Sequence, residues 1–344
     1  MRILVFVGVF PRLSQTFILN QITGLIDAGH DVTILAKEGD SGQKLHADIL
    51  KYNLLDKVIY YGGTAKNNKR SKGIEYFKGL VKLILRGKVR LFKGKTLIND
   101  LLHHPNLILL INKLGSVHLP DFDIIHAHFG PNGILAKKTM DCGYLKGKLF
   151  TTFHGYDMLR HVRVKGDRVY EELFRSNCTI LPISHYWEKK CLELGAHSEK
   201  IRVHHMGIDV SSFDYSLTPY SKEIHIVSAA RFVEKKGLEY GIKAISHLIK
   251  QGYSIRYSIA GGGPLEAELR QLIADRGLTD HIQLLGWKTQ DELIELMKNA
   301  HLILVPSVTS HDGDMEGIPV QLMEAMAMGK IVISSWHSGI PELV

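Results

Sequence analysis

The sequence predicts an α/β protein of two doubly wound, Rossmann-like domains. Three observations carry that prediction: a length of 344 residues, short β-branched runs alternating with helical periodicity, and one polar interruption near the middle. A chain this long has material for two substantial cores. Alternation of strand and helix signals points to βα units around parallel sheets. In the first half, strands are expected at ILVFV (3–7), DVTILA (31–36), FDIIHAH (122–128), KLFTTFH (148–154), TILPIS (179–184) and KIRVHH (200–205). Helices are expected at about 15–28, 132–142, 167–176 and 185–195. The segment 207–223, GIDVSSFDYSLTPYSKE, is turn-rich and lacks helical periodicity, so it reads as a linker between domains at 1–206 and 224–344. The alternation then restarts with EIHIVSAA, a helix from Gly237 to Lys250, SIRYSIA, a helix opening at Pro264, HIQLLG, a helix near 290–299, HLILVPS, a helix from Pro319 and KIVISS.

Composition narrows the function classes. With 45% apolar and 23% charged residues the chain is an ordinary globular protein. The three cysteines, Cys142, Cys178 and Cys191, lack paired spacing, which argues against a disulfide framework or zinc ribbon and fits a reducing cytoplasm. The start, Met1-Arg2 followed at once by ILVFV, has no signal-peptide pattern, and no apolar run reaches the roughly 20 residues of a membrane span. Net charge is +8, and the excess is local: eleven Lys/Arg fall between Lys66 and Lys95 against one acid, Glu75. Ile74, Phe77, Val81, Ile84 and Leu85 recur among them at helical spacing. A basic amphipathic helix of this kind either lies on an anionic membrane surface or packs its apolar stripe on its own domain. No nucleic-acid recognition motif accompanies it.

The segment richest in chemistry is HDGDMEGIPVQLMEAMAMG. Pro319 suits the first turn of a helix, which places Glu316 in the entering loop and Glu324 on the second turn. Eight residues of helix rise about 12 Å, whereas carboxyl pairs that work on one glycosidic bond stand about 5–9.5 Å apart. The pair therefore reads as two ends of a clamp on an extended ligand, and the helix N-terminus between them suits a diphosphate. The pair His126/His128 mimics a metal motif but has no third ligand at suitable spacing, and Asp121/Asp123 and Asp312/Asp314 mimic a DxD metal motif.

EGIPVQLMEAMAMGK resembles the E-x7-E segment of the retaining GT-B glycosyltransferases of family 4, and AARFVEKKGLEYGIKAI resembles that family's strand-loop-helix for the donor diphosphate. IAGGGPLEAEL, HIQLLGW, FTTFHGYD and PISHYWEKKCLELGAHSEKIRVHHMGID are similar to further family segments. The resemblance implies two Rossmann-like domains facing across a cleft. It assigns Arg231 and Lys236 to the donor diphosphate, and Gly262, Gly286, Gly317, Ile318 and Glu324 to donor binding. Glu316 and His154 fall at the donor sugar as the catalytic residues, while Trp287 becomes either a base-side wall or core. FPRLSQTFILNQITGL resembles the branch working on bacterial exopolysaccharides such as colanic acid; Gly8 and Ser14 are read as acceptor contacts, with helix capping the alternative for Ser14. The activity that the resemblance implies is a metal-independent, cofactor-free transfer of a hexose from a UDP- or GDP-sugar to a polyprenyl-linked saccharide. The enzyme would be peripheral on the inner face of the plasma membrane, held there through 66–95. A nucleotide-sugar epimerase or a non-catalytic sugar-nucleotide-binding subunit stays open as an alternative. Relatives ordinarily continue beyond SGIPELV, so the second domain is expected to lack its closing part.

Overall fold

A computed structural model of the chain describes residues 1–12, 15–40, 45–62, 73–74, 76–81 and 104–344. Ser14 and most of the basic stretch 66–95 lie outside the described residues. The chain forms two compact units. One comprises Met1–Asp157, Lys165–Pro182 and Cys191–Arg202, and the other Met158–Val164, Ile183–Lys190 and Val203–Val344.

The first unit is built on a parallel six-stranded sheet: β1 (Arg2–Val9), β2 (Asp31–Glu38), β3 (Val58–Tyr60), β4 (Ile124–His128), β5 (Lys148–Phe153) and β6 (Thr179–Pro182), in the order β3-β2-β1-β4-β5-β6. Central β1 has Ile3 paired with both Val32 and Ile124. Ile3 to Val7 are all buried, as an unbroken apolar run requires in a strand covered on both faces. Covering and connecting helices include α1 (Thr16–Asp27), α2 (Ala47–Lys51), α3 (Pro105–Leu114) and α4 (Gly130–Asp141). Three shorter helices come next in the chain: α5 (Arg160–Lys165), α6 (Glu171–Arg175) and α7 (His185–Glu193). Of these, α5 and α7 belong for most of their length to the second unit.

Two expectations are corrected here. The segment 200–205 is not a strand: it makes one bridge, Ile201 to Ile180, and its Arg202, His204 and His205 are exposed. Ile201 is its one buried residue, and Val203 stays half-buried without a bridge to the sheet edge. The sixth strand is instead β3, whose three residues are too few to display alternation. Helix α6 is also shorter than the expected 167–176. Helix α3 has no counterpart in the sequence reading, because the run LILLI suits a buried strand as well as a buried helix.

The second unit has a parallel five-stranded sheet: β7 (Ile224–Ala229), β8 (Ile255–Ala260), β9 (Ile282–Leu284), β10 (Leu302–Val305) and β11 (Ile331–Ser334), in the order β11-β10-β7-β8-β9. Its main helices, α8 (Leu238–Lys250), α9 (Glu266–Asp275), α10 (Gln290–Lys298) and α11 (Val320–Ala327), coincide with the expected ones. Leu238, Gly241, Ile242 and Ile245 form the buried stripe of α8, at the spacing of one helix face. One apolar cluster joins Phe232, Ile242, Tyr257 and Ile259, and another joins Val227, Ile303, Leu322 and Met328. Asp209 caps a short 3-10 turn, Val210–Ser212, by accepting from the Ser211 amide, and Phe213 is buried in the second of these clusters.

In both sheets strand order reverses beside the first strand: β1 lies between β2 and β4, and β7 between β8 and β10. Such a switch point leaves a crevice at the carboxyl ends of the strands, where ligands bind in open α/β sheets. In the second unit the crevice depends on a glycine. Gly237 has φ +60°, and a Cβ there would stand 1.8 Å from the Pro306 carbonyl oxygen, so the loops after β7 and β10 touch backbone to backbone. Gly237→Ala should lower the unfolding free energy by about 1–3 kcal/mol. Gly8→Ala, whose added Cβ would meet only Asn132 Nδ2 at 3.9 Å, should change it by less than about 0.5 kcal/mol. Urea denaturation midpoints of the two variants measure the difference.

Candidate functional site

The loop after β7 and the loop after β10 meet at the second switch point through charge. Lys236 Nζ forms an ion pair with Glu316 Oε2, with both side chains largely buried. One residue earlier, Lys235 Nζ lies 3.0 Å from Asp314 Oδ2 and donates to the Met315 carbonyl at 3.1 Å. One earlier again, Glu234 pairs with the His311 ring and accepts from the His311 amide at 2.8 Å. The Val308 amide donates to the Lys235 carbonyl at 2.9 Å. Burial raises the cost of ionising Glu316, but Lys236, then Lys235, and the Gly317 amide outweigh it and hold the carboxyl at about 2. The Glu316 amide donates to His337 Nε2 at 3.3 Å, and burial lowers the His337 pKa, consistent with the neutral ring that acceptance needs.

Glu316 leads directly into α11. Pro319 is the N-cap rather than the first helical residue, and no side chain caps the helix, so its first-turn amides carry no side-chain acceptor. Uncapped amides at a helix N-terminus favour an anion. Glu324 sits on the second turn, 8% exposed. Its Oε1 accepts from Gln290 Nε2 at 3.0 Å, and burial raises its pKa against that bond. The Ile318 side chain is buried, which leaves its backbone as the part available to a ligand.

The glycine run after β8 folds under the loop after β7: the Phe232 amide donates to the Gly262 carbonyl at 2.9 Å, and the Gly261 amide to the Gly286 carbonyl at 2.8 Å. A Cβ on Gly262 would stand 2.7 Å from Trp287 Nε1. Trp287 is 64% exposed and is therefore not a core residue. Arg231 is exposed and makes no ion pair or side-chain hydrogen bond among the described residues. Around one crevice the fold thus collects Arg231, Lys236, Glu316 and the Gly317 amide.

In the first unit, a buried aspartate organises the carboxyl ends of β4 and β5. Asp157 accepts from the Gly130 amide at 2.9 Å, the His154 amide at 3.0 Å and the Gly155 amide at 2.9 Å. Burial nevertheless pushes its pKa up to about 6. The imidazole of His154 lies between Phe17 and Phe129, with ring centroids 4.7 and 4.5 Å away. Its Nε2 is 3.1 Å from His128 Nδ1. Desolvation, with His126 adding to it, lowers the His154 pKa to about 3, so its ring is neutral in ordinary buffers. Its Nδ1 is buried and has no hydrogen-bond partner among the described residues. His126 and His128 stack at 4.6 Å, and His126 Nε2 is 2.7 Å from Thr152 Oγ1. Gly8 stands near the end of β1, where an added Cβ would meet Asn132 Nδ2 at 3.9 Å.

Sequence reasoning gives no role to Lys235, Asp314, His337, Gln290 or Asp157. Only Asp314 carries a signal, as half of a DxD, and that signal points to metal. In the folded chain the two carboxylates are engaged by the protein: Asp314 by Lys235, and Asp312 by the Ser310 hydroxyl and the Asp314 amide.

Two switch-point crevices, one lined by a lysine–glutamate pair beside an uncapped helix, define a doubly wound α/β protein of two parallel sheets. Comparison with known proteins narrows this. The family described as Glycosyltransferase Family 4 matches residues 14–212, and the one described as Glycosyl transferases group 1 matches 212–344. The amylovoran biosynthesis glycosyltransferase AmsK of Erwinia amylovora is 40% identical over 100% of this chain and 84% of its own length. The putative colanic acid biosynthesis glycosyltransferase WcaL of Escherichia coli is 40% identical over 97% of this chain and 82% of its own. Among solved structures, HepE of Anabaena, in complex with UDP and glucose, aligns with a TM-score of 0.69 at 15% identity, covering 100% of this chain and 83% of that one. The chain belongs to glycosyltransferase family 4 and has the GT-B fold.

The depressed Glu316 pKa has a signed consequence. A carboxyl at about 2 in the folded chain and near 4.5 in the unfolded one contributes stability that is full above pH 4.5 and is lost as pH falls toward 2. Glu316→Gln should therefore cost on the order of 3 kcal/mol at pH 7. Urea denaturation of both proteins should show that gap narrowing at pH 3.

Proposed function

We propose that the second unit binds a nucleoside-diphosphate hexose, with UDP or GDP as its nucleotide, and that the protein transfers the hexose with retention to a lipid-linked exopolysaccharide intermediate. The observation that carries this is the buried Lys236–Glu316 pair beside the uncapped N-terminus of α11. Lys236, Arg231 and the first amides of α11 supply positive charge where a nucleoside diphosphate departs. Preorganised charge of this kind acts on the transition state without a metal. Glu316 then turns to the hexose hydroxyls and Glu324 to the ribose diol, with Gly262 and Gly286 lining the nucleotide. His154, held neutral, donates or accepts a hydrogen bond but carries no charge, so its proposed part is to orient the sugar rather than to attack it. Gly8 and Ser14 remain proposed acceptor contacts.

The names of AmsK and WcaL place those relatives in extracellular polysaccharide synthesis, and HepE is seen with UDP and glucose. They support a nucleotide-sugar donor and an exopolysaccharide product for this chain. Membrane contact on the cytoplasmic face is proposed through the basic stretch 66–95. Within its described part Ile74 is 56% and Phe77 67% exposed, and Asn112 Nδ2 donates to the Gly79 carbonyl at 2.9 Å. That part thus shows Ile74 and Phe77 to solvent while the backbone at Gly79 is bonded to α3. Among the described residues no helix is long and apolar enough to cross a membrane.

Thermal-shift measurement against UDP, GDP and ADP should give a rise in melting temperature with one of the first two, because a ligand of the folded state alone stabilises it. With the matching sugar nucleotide and a lipid-linked acceptor, Lys236→Ala should lower kcat/KM about 100-fold, as loss of one donor to developing negative charge does elsewhere. Unchanged turnover in that variant, or a product of inverted anomeric configuration by NMR, would remove the assignment.

A further inference from the structure

Three consecutive residues of one loop pair with three residues of the other: Glu234 with His311, Lys235 with Asp314, Lys236 with Glu316. The middle pair stands next to the proposed diphosphate site but has no part in the chemistry described above. Its aspartate is fixed by its own loop. The Ser310 amide and hydroxyl both donate to the Asp314 carbonyl at 3.0 Å, and the Asp314 amide donates to Asp312 Oδ1 at 3.1 Å. Asp314 Oδ1 is buried and makes no hydrogen bond among the described residues, so compensation of this carboxylate rests on Lys235 at Oδ2. Lys235 in turn is near enough to Glu316 to help keep it ionised, second only to Lys236.

We propose that Lys235 and Asp314 form a positioning pair. Asp314 holds the Lys235 ammonium away from the diphosphate and from Glu316, so that Lys236 and Glu316 alone exchange partners when donor binds. This rests on the nucleoside-diphosphate reading of the site. Its consequence is a pair of opposite effects. Without Asp314, Lys235 is a second uncompensated cation beside the phosphates and a second partner for Glu316. Product affinity rises while the glutamate is drawn off the sugar. Without Lys235, Asp314 becomes a buried anion facing the phosphates, and affinity falls. A pair that merely braced two loops would lose affinity in both cases.

The test is calorimetric binding of UDP and GDP to the full chain, with kcat measured alongside. For whichever nucleotide binds the wild type, Asp314→Asn should tighten Kd about threefold or more and lower kcat, and Lys235→Met should weaken Kd by a similar factor. The double variant should return to within about twofold of wild type, since two charges of opposite sign have been removed together. Should Lys235→Met fail to fold, the sign of the Asp314→Asn change decides alone. Weaker binding in both single variants, or no change in either, overturns the pair. A wild type that binds neither nucleotide overturns the donor reading itself, a result obtained with the unaltered protein.

Discussion

A lysine and a glutamate that neutralise one another in a largely buried place set the character of the second unit. The Lys236–Glu316 pair joins the two loops that flank the point where strand order reverses, and neither charge would be tolerable there alone. Gly237 makes the contact possible, because only a residue without Cβ lets the backbone after Lys236 lie against the Pro306 carbonyl. The uncapped start of α11 and the exposed Arg231 then add positive charge around the pair. An anion entering such a crevice finds its counter-charge already in place, with the protein's own carboxylate occupying it.

That arrangement sets two glutamates eight residues apart in different electrostatic surroundings. Glu316 is ionised against burial by its two lysines, whereas burial raises the Glu324 pKa, and Gln290 donates to it from α10. The first group is thus held by a salt bridge, and the second accepts a hydrogen bond from a sheltered side chain. In the first unit a different balance holds. Asp157 uses both carboxylate oxygens on backbone amides and so fixes the loop that carries His154. Phe17, Phe129 and His128 pack their rings around His154, and desolvation lowers its pKa.

Much of this is legible in the order of residues alone. The apolar runs mark every strand described except β3, and with them both doubly wound sheets, because a parallel strand buried on two faces is a continuous apolar word. Short elements escape: three residues of β3 carry no period, and the apolar run of α3 fits either helix or strand. The segment 200–205 misleads because Ile201 and Val203 alternate with polar residues, although only Ile201 finds a bridging partner. At the site, Lys236 and Glu316 are legible through motif. Their pairing is not, nor are Lys235–Asp314 and the bond to His337, since contacts between residues so distant in the chain leave no mark in local spacing.

The central claim is that Glu316 occupies Lys236 until a donor diphosphate replaces it. Calorimetric binding of the cognate nucleoside diphosphate to Glu316→Gln measures this most directly. The variant is expected to bind the nucleotide more tightly than the wild type while losing turnover, because Lys236 no longer has to leave a carboxylate. Weaker binding by Glu316→Gln would contradict the claim, and would mean that the glutamate holds the lysine in place for the phosphates rather than in competition with them.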